Sequence, residues 1–330
     1  MAGFVAGLLD ATVAAATVFI FAGLGELISE RAGVLNLGVE GMMLGGALGG
    51  FIVTVVTGSV WLGLGAGVVV GMLFALLHAF LCITLKSNQV ISGVMLTLLG
   101  TGLTTFYGSN WVEKDIDGFS EVTIPVIGDA LVEIPVLGEA LFHSMPTDYI
   151  AITLVPVVWY FLNHSNIGLE LISVGEDPEM ADTMGVSVFK IRYLAVIIGG
   201  GLAGAAGAHL SLAFVGNWTN GMTAGRGWIA VALVIFAQWK ASRMLVGAYL
   251  FGMLNALEVR SQGLSVSVDP GTPLAGIINP VAEFLMNAQI MSTYPYLATI
   301  IVLSYAVIRT RSDRLAVPSA LLQSYSRETD

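Results

Sequence analysis

From Val60 to Leu85 the chain runs without a single Asp, Glu, Lys or Arg. A helix needs about 20 predominantly apolar residues to cross a bilayer, and this run meets that length. Comparable stretches recur at Val5–Gly25, Val34–Thr57, Val90–Gly108, Tyr149–Asn163, Ile191–Val215, Met222–Gln238, Leu245–Val259 and Tyr294–Ile308. In hydrocarbon every backbone polar group must be satisfied internally, so only helices and closed barrels can span. Barrel strands would alternate polar and apolar residues over about 10 positions, and these runs do not. Charged residues make up only 11% of the chain, against about 25% in soluble domains. The sequence therefore predicts an all-α, polytopic inner-membrane helical bundle with about 8–10 transmembrane helices. Some helices are expected to be broken or re-entrant, arranged as two pseudo-repeats. Residues 1–315 form a single transmembrane domain on this reading, and residues 316–330 a cytoplasmic tail.

The formal net charge of −10 argues against nucleic acid as a partner. Cys82 is the one cysteine, so no intrachain disulfide can form. Basic residues divide unevenly between alternate connections. Arg31, Lys86, Lys190, Arg192, Lys240, Arg243, Arg309, Arg311, Arg314 and Arg327 fall on one side, and Lys114, Arg226 and Arg260 on the other. The positive-inside rule places the first set in the cytoplasm. The N-terminus is then outside and the C-terminus cytoplasmic. Residues 109–148 become an acidic extracytoplasmic loop. It carries a short repeat, Ile124–Leu131 and Ile134–Leu141, expected as two turns on the membrane surface. That loop is either a plain connection or a dock for an external partner. Residues 261–291 are expected as a second external loop with a short re-entrant piece.

Glycines recur every fourth position at Gly41, Gly45 and Gly49, at Gly63, Gly67 and Gly71, and at Gly200 and Gly204. Small residues at that spacing let helices approach closely in lipid. Two polar breaks interrupt the apolar pattern, one in each half. The first, Gly25–Gly46, holds Glu26, Glu30, Arg31, Asn36 and Glu40. Glu26 and Glu30 share a helix face, and Arg31 is positioned to pair with one of them. Gly33 and Gly38 allow the chain to break and restart as a half-helix near Val34. The second, Phe214–Trp228, holds Asn217, Thr219, Asn220, Met222, Thr223 and Arg226 before another apolar run. Half-helix N-termini supply free N–H groups to polar sites inside membranes. Asn36, Glu40, Asn217, Met222 and Arg226 are therefore the candidate translocation-path residues. The alternatives are a capped cytoplasmic loop for the first break and a structural salt bridge for Arg226.

Residues 166–190 are too polar to span. Glu176 and Asp177 precede Pro178, a helix start, and Gly185 follows as a C-cap. This predicts a short cytoplasmic helix, either an inert loop or a knob for a cytoplasmic partner. The chain has no P-loop lysine motif, no H-E-x-x-H and no Cys/His cluster. Neither catalysis nor a cofactor is expected. His78 and His209 stand alone in apolar runs and are expected to be hydrogen-bonded packing residues.

Four segments together resemble the inner-membrane permeases of nucleoside ABC importers, within the branched-chain amino acid and simple-sugar permease group. They are ISERAGVLNLGVEGMMLGGAL (Ile28–Leu48), SVGEDPEMADTMGVSVFKIRYLAV (Ser173–Val196), GGGLAGAAGAHLSL (Gly199–Leu212) and NGMTAGRGWIAVALVIFAQWK (Asn220–Lys240). The resemblance implies a nucleoside cargo, a second homologous permease, a cytoplasmic ABC ATPase subunit and an extracytoplasmic substrate-binding lipoprotein. It makes Gly175, Glu176, Asp177, Pro178, Ala181, Met184 and Gly185 the ATPase-coupling segment. The same architecture carrying ribose or a branched-chain amino acid is an alternative. An ion-coupled secondary transporter is another, with Glu40 as its coupling carboxylate.

Overall fold

The computed structural model describes residues 2–112, 114–123, 138, 142–261, 275–285, 287–310 and 317–326. Its helices in chain order are α1 (Ala2–Arg31), α2 (Val39–Thr57), α3 (Val60–Ala79), α4 (Gln89–Gly108), α5 (Pro146–His164), α6 (Asn166–Glu176), α7 (Pro178–Thr183), α8 (Val188–His209), α9 (Arg226–Ala237), α10 (Ala241–Ser261), α11 (Ala275–Leu285), α12 (Ala288–Met291) and α13 (Tyr294–Thr310). A two-stranded antiparallel ladder pairs β1 (Val122–Thr123) with β2 (His143–Ser144). Among the described residues, five helical stretches are long and apolar enough to cross a membrane. They are Phe4–Arg31, Val39–Thr57, Val60–Thr84, Gln89–Trp111 and Val188–Phe214. The bent pair α5–α6, kinked by 72°, makes up to six. The kink falls at Ser165, whose extended backbone ends α5 and whose hydroxyl caps α6 by accepting from Gly168 N at 3.0 Å. The chain is thus an all-α polytopic membrane bundle.

Helix α8 lies at its centre, against α1, α2 and α3. The glycine stripes meet there. A Cβ on Gly204 would overlap the Gly67 carbonyl, and one on Gly71 would overlap the Gly200 carbonyl. Lipid tails give apolar side chains no reason to prefer each other, so this backbone contact and its dispersion attraction hold the helices together. On α4 one face is buried, Gln89, Ser92, Gly93, Leu96, Gly100, Thr104 and Gly108, and the helix packs on α2.

Helices α3 and α8 end alike. Each carries a buried histidine in its last turn, His78 or His209, and is followed by a five-residue π-turn, Phe80–Thr84 or Leu210–Phe214. His78 Nε2 lies 3.1 Å from the Leu35 carbonyl and its Nδ1 3.0 Å from Ser92 Oγ. His209 Nε2 lies 3.0 Å from the Ala14 carbonyl and its Nδ1 2.8 Å from Thr147 Oγ1. A carbonyl can only accept, so in each case Nε2 carries the proton and Nδ1 accepts from the hydroxyl. The arrangement occurs once in each half of the chain.

Three boundaries differ from the sequence expectation. Helix α1 does not stop at Gly25 but continues through Glu26 and Glu30 to Arg31. Helix α2 restarts at Val39 rather than near Val34, because the amides of Leu35 and Asn36 are taken by the side chains of Gln89 and Glu26 instead of by helical carbonyls. The expected span Met222–Gln238 contains a helix of only 12 residues, Arg226–Ala237, about 18 Å long. That is well short of the ~30 Å hydrocarbon core. The repeat at Ile124–Leu131 and Ile134–Leu141 lies outside the described residues apart from Gly138, as do residues 262–274 of the second expected external loop.

Candidate translocation and coupling sites

The first break spans Ala32–Gly38, and most of its backbone groups have hydrogen-bond partners. Gly33 adopts φ 83° and donates to the Glu30 carbonyl at 2.9 Å. Leu35 N donates to Gln89 Oε1 at 2.8 Å and Asn36 N to Glu26 Oε1 at 2.8 Å. The Leu37 carbonyl accepts from Thr97 Oγ1 at 3.1 Å. Irregular backbone survives at membrane depth only where protein replaces water in this way. Glu26 and Glu30 are both buried, but not as partners of Arg31. Arg31 donates through Nε and Nη2 to the Trp239 carbonyl, and Trp239 Nε1 donates to Glu30 Oε2 at 2.6 Å. The base of α1 is thereby fastened to the chain just beyond the C-terminal end of α9.

The second break, residues 215–225, is built from turns with left-handed backbone at Gly216, Gly221, Ala224 and Gly225. It ends on Glu40. Glu40 Oε1 accepts from Thr223 Oγ1 at 2.6 Å and Gly225 N at 2.8 Å, and its Oε2 accepts from Gly227 N at 2.6 Å. A helix N-terminus has free N–H donors and a positive dipole end, and a carboxylate satisfies both. Glu40, in the first turn of α2, is thus the cap of α9. Arg226 bends back onto the same break. Its Nη1 donates to the carbonyls of Met222 and Thr223, and its Nη2 donates to Asn255 Oδ1. Tyr296 of α13 closes the group by donating to the Ala224 carbonyl at 2.7 Å.

Of the five expected path residues, Glu40, Met222 and Arg226 come together. Asn36 is buried inside the first break, where its Oδ1 accepts from Gly38 N at 3.1 Å. Asn217 lies apart. It bridges Asp115 where residues 115–119 run over the second break, with Ile116 N on the Gly216 carbonyl and Phe119 N on the Leu212 carbonyl. Beside it Trp218 is fully buried against Gly108, in a cluster with Phe51, Phe119 and Leu212. Sequence reasoning placed Thr223 in the second break without a partner and missed Gln89, Gly227 and Trp239 as ties of the breaks. A tryptophan and a glutamine beside lysine at the end of an apolar run (Gln238–Lys240) was the one available signal.

The 166–190 region carries the local structure its sequence implies. Asp177 Oδ1 accepts from Met180 N at 2.9 Å and starts α7, with Pro178 at its first position. Gly185 closes it at φ 87°, and Val186 N returns to the Ala181 carbonyl at 3.0 Å. Ala181 is buried, while Met180 and Met184 are 64% and 80% exposed. Large apolar side chains this free on a short helix suit insertion into a partner's groove. Gly175 and Glu176 face the other way, toward the C-terminal segment. Gly175 packs on the Arg31 carbonyl and accepts from Ala320 N at 2.9 Å. Glu176 Oε2 accepts from Ser319 Oγ at 3.1 Å.

Comparison with known proteins gives these features a family context. Residues 8–270 match the family described as branched-chain amino acid transport system / permease component. A putative glucose ABC transporter permease protein of Haloferax volcanii is 73% identical over 99% of both chains. A guanosine ABC transporter permease protein of Bacillus subtilis is 32% identical, covering 90% of this chain and 91% of its own. A nucleoside ABC transporter permease protein of Lactococcus lactis is 32% identical, covering 87% and 88%. No solved structure matches the chain.

Proposed function

The chain belongs to the branched-chain amino acid transport system / permease component family, an ABC transporter permease subunit, and from that premise we propose that it forms half of the path of an ATP-driven importer for an uncharged sugar. The observation that carries the reading is α7. Its exposed Met180, together with exposed Met184 in the cap between Thr183 and Gly185, forms the knob through which a separate cytoplasmic ATPase drives this subunit. The side of the bundle bearing α7 and the C-terminus is then cytoplasmic. A second homologous permease completes the path, and an extracytoplasmic lipoprotein delivers the cargo.

The cargo reading rests on relatedness and on charge. The 73% identical relative is named for glucose. In the breaks, Glu40 is committed to α9 and Arg226 to backbone carbonyls and Asn255, so the path favours solutes without charge. Nucleosides are the second reading, favoured by the two 32% identical relatives and by the resemblance of Ile28–Leu48 and Asn220–Lys240. ATP-dependent uptake of labelled glucose, guanosine and leucine into vesicles containing the assembled transporter separates these. Glucose uptake that unlabelled guanosine does not compete supports the sugar. Guanosine uptake that unlabelled glucose does not compete replaces it with the nucleoside. Uptake that proceeds without any ATPase overturns the importer class.

A further inference from the structure

The segment Val317–Ser326 lies beyond α13, within the expected cytoplasmic tail. In the structure it is a folded strap. It crosses four elements in ten residues. Ser319 holds Glu176 at the end of α6, through Oγ at 3.1 Å, and Ala320 N donates to the Gly175 carbonyl at 2.9 Å. The Ala320 carbonyl lies against Gly33 of the first break. The Gln323 carbonyl accepts from Arg192 Nη1 of α8 at 3.0 Å. Tyr325 stacks edge-on against Phe189 with ring centroids 5.8 Å apart, and Ser326 Oγ accepts from Lys86 beyond α3 at 2.9 Å. Ala320 is 2% exposed and Tyr325 is buried, so the segment is seated rather than draped.

The position of Ala320 gives the strap its role. It lies between Gly175, at the base of the α6–α7 knob, and Gly33, in the turn that begins the first break. Arg192 is sealed beneath the strap, its Nη2 also against Gly33. From Gly33 the break runs directly to Glu40, which caps α9. A continuous chain of contacts therefore leads from the knob to the half-helix of the path.

We propose that Val317–Ser326 is a positioning clasp that links displacement of the α7 knob to the first break, so that removing it uncouples ATP hydrolysis from transport. The proposal rests on the reading of α7 as the ATPase-facing knob. Glu176 then acts through the clasp rather than by touching the ATPase, and its side chain is a positioning group.

The test uses the complete transporter in vesicles, with uptake, ATP hydrolysis and ATPase co-purification measured side by side. Two variants are compared with wild type: a chain ending at Ala316, and Ala320→Leu, which keeps the full length but crowds a closed seat. Both are expected to retain the ATPase subunit and its hydrolysis, while solute moved per ATP falls about fivefold or more. Glu176→Gln, which keeps an acceptor for Ser319, is expected to keep most of the wild-type ratio. A wild-type ratio in the Ala316 truncation overturns the clasp, as does a wild-type ratio in Ala320→Leu should the truncation fail to assemble. Full retention of the ATPase subunit by Met180→Glu/Met184→Glu, with the tail intact, overturns the knob on which the clasp rests. Uptake by the wild-type complex that is independent of ATP overturns the importer reading and not the contact geometry.

Discussion

Glu40 Oε2 accepts the backbone N–H of Gly227 at 2.6 Å, joining residues 187 positions apart in the chain. With Thr223 Oγ1 and Gly225 N on the other oxygen, one carboxylate satisfies the start of a helix that begins inside the bundle. The two breaks of the sequence are therefore one joint. Water cannot cap a helix end there, and the side chain that does so comes from the other half of the chain.

Replacing Glu40 tests that joint. Glu40→Ala strips three donors of their acceptor, and the loss is expected to reach at least about 2 kcal/mol because hydrogen bonds to ionised groups are the stronger kind. Glu40→Gln keeps one oxygen but turns an amide N–H toward a donor, so an intermediate loss is expected. Thermal unfolding of the detergent-solubilised protein checks the order, wild type above Gln above Ala. Equal melting temperatures for all three would remove the cap from the account.

The tie between Trp239 and Glu30 makes a second prediction. Trp239→Phe keeps an aromatic ring but leaves Glu30 Oε2 without its donor at 2.6 Å. A buried acceptor stripped of its partner is expected to cost about 1–3 kcal/mol. Trp239→His, which can present a ring N–H, should recover part of it. The same unfolding measurement decides, and no loss in the Phe variant would contradict the tie.

Close packing of α3 on α8 is tested at Gly204, where even a Cβ would overlap the Gly67 carbonyl. Gly204→Leu must separate the helices and is expected to destabilise by about 1–3 kcal/mol or more. Gly65, whose Cβ would meet nothing within 4 Å, is the control. Gly65→Leu is expected to leave both yield and melting temperature close to wild type.

The knob makes the opposite kind of prediction. Met184 is 80% exposed, and exposed substitutions usually change stability by no more than about 0.5 kcal/mol. Met184→Glu is therefore expected to leave the melting temperature unchanged. Under the proposed docking it weakens recovery of the ATPase subunit about tenfold, equivalent to ~1.4 kcal/mol. Undiminished recovery in Met180→Glu/Met184→Glu would show that α7 does not meet the ATPase.

What could be read in the sequence was whatever depends on neighbours along the chain. The apolar runs determined an all-α membrane bundle, because hydrocarbon leaves helices as the way to satisfy these backbones. The four-residue glycine spacing determined that helix faces would meet closely, and Gly67 and Gly71 do meet Gly204 and Gly200. Asp177, Pro178 and Gly185 determined α7, since caps and breakers act within a single turn. The Glu26–Glu30 face was legible for the same reason, and its partner was not. Arg31 was the nearest cation in sequence, yet Glu30 is held by Trp239. Helix α1 outran its expected end because partners remote in the chain make burial of its carboxylates tolerable. Helix α9 fell short because its first turn is fixed by Glu40 of α2. The tail carried no periodic signal at all, and its seat exists only once Gly33, Gly175 and Arg192 have been brought side by side. Spacing along a chain determines hydrogen bonds within a turn; which remote group completes a broken helix is decided only when the helices pack.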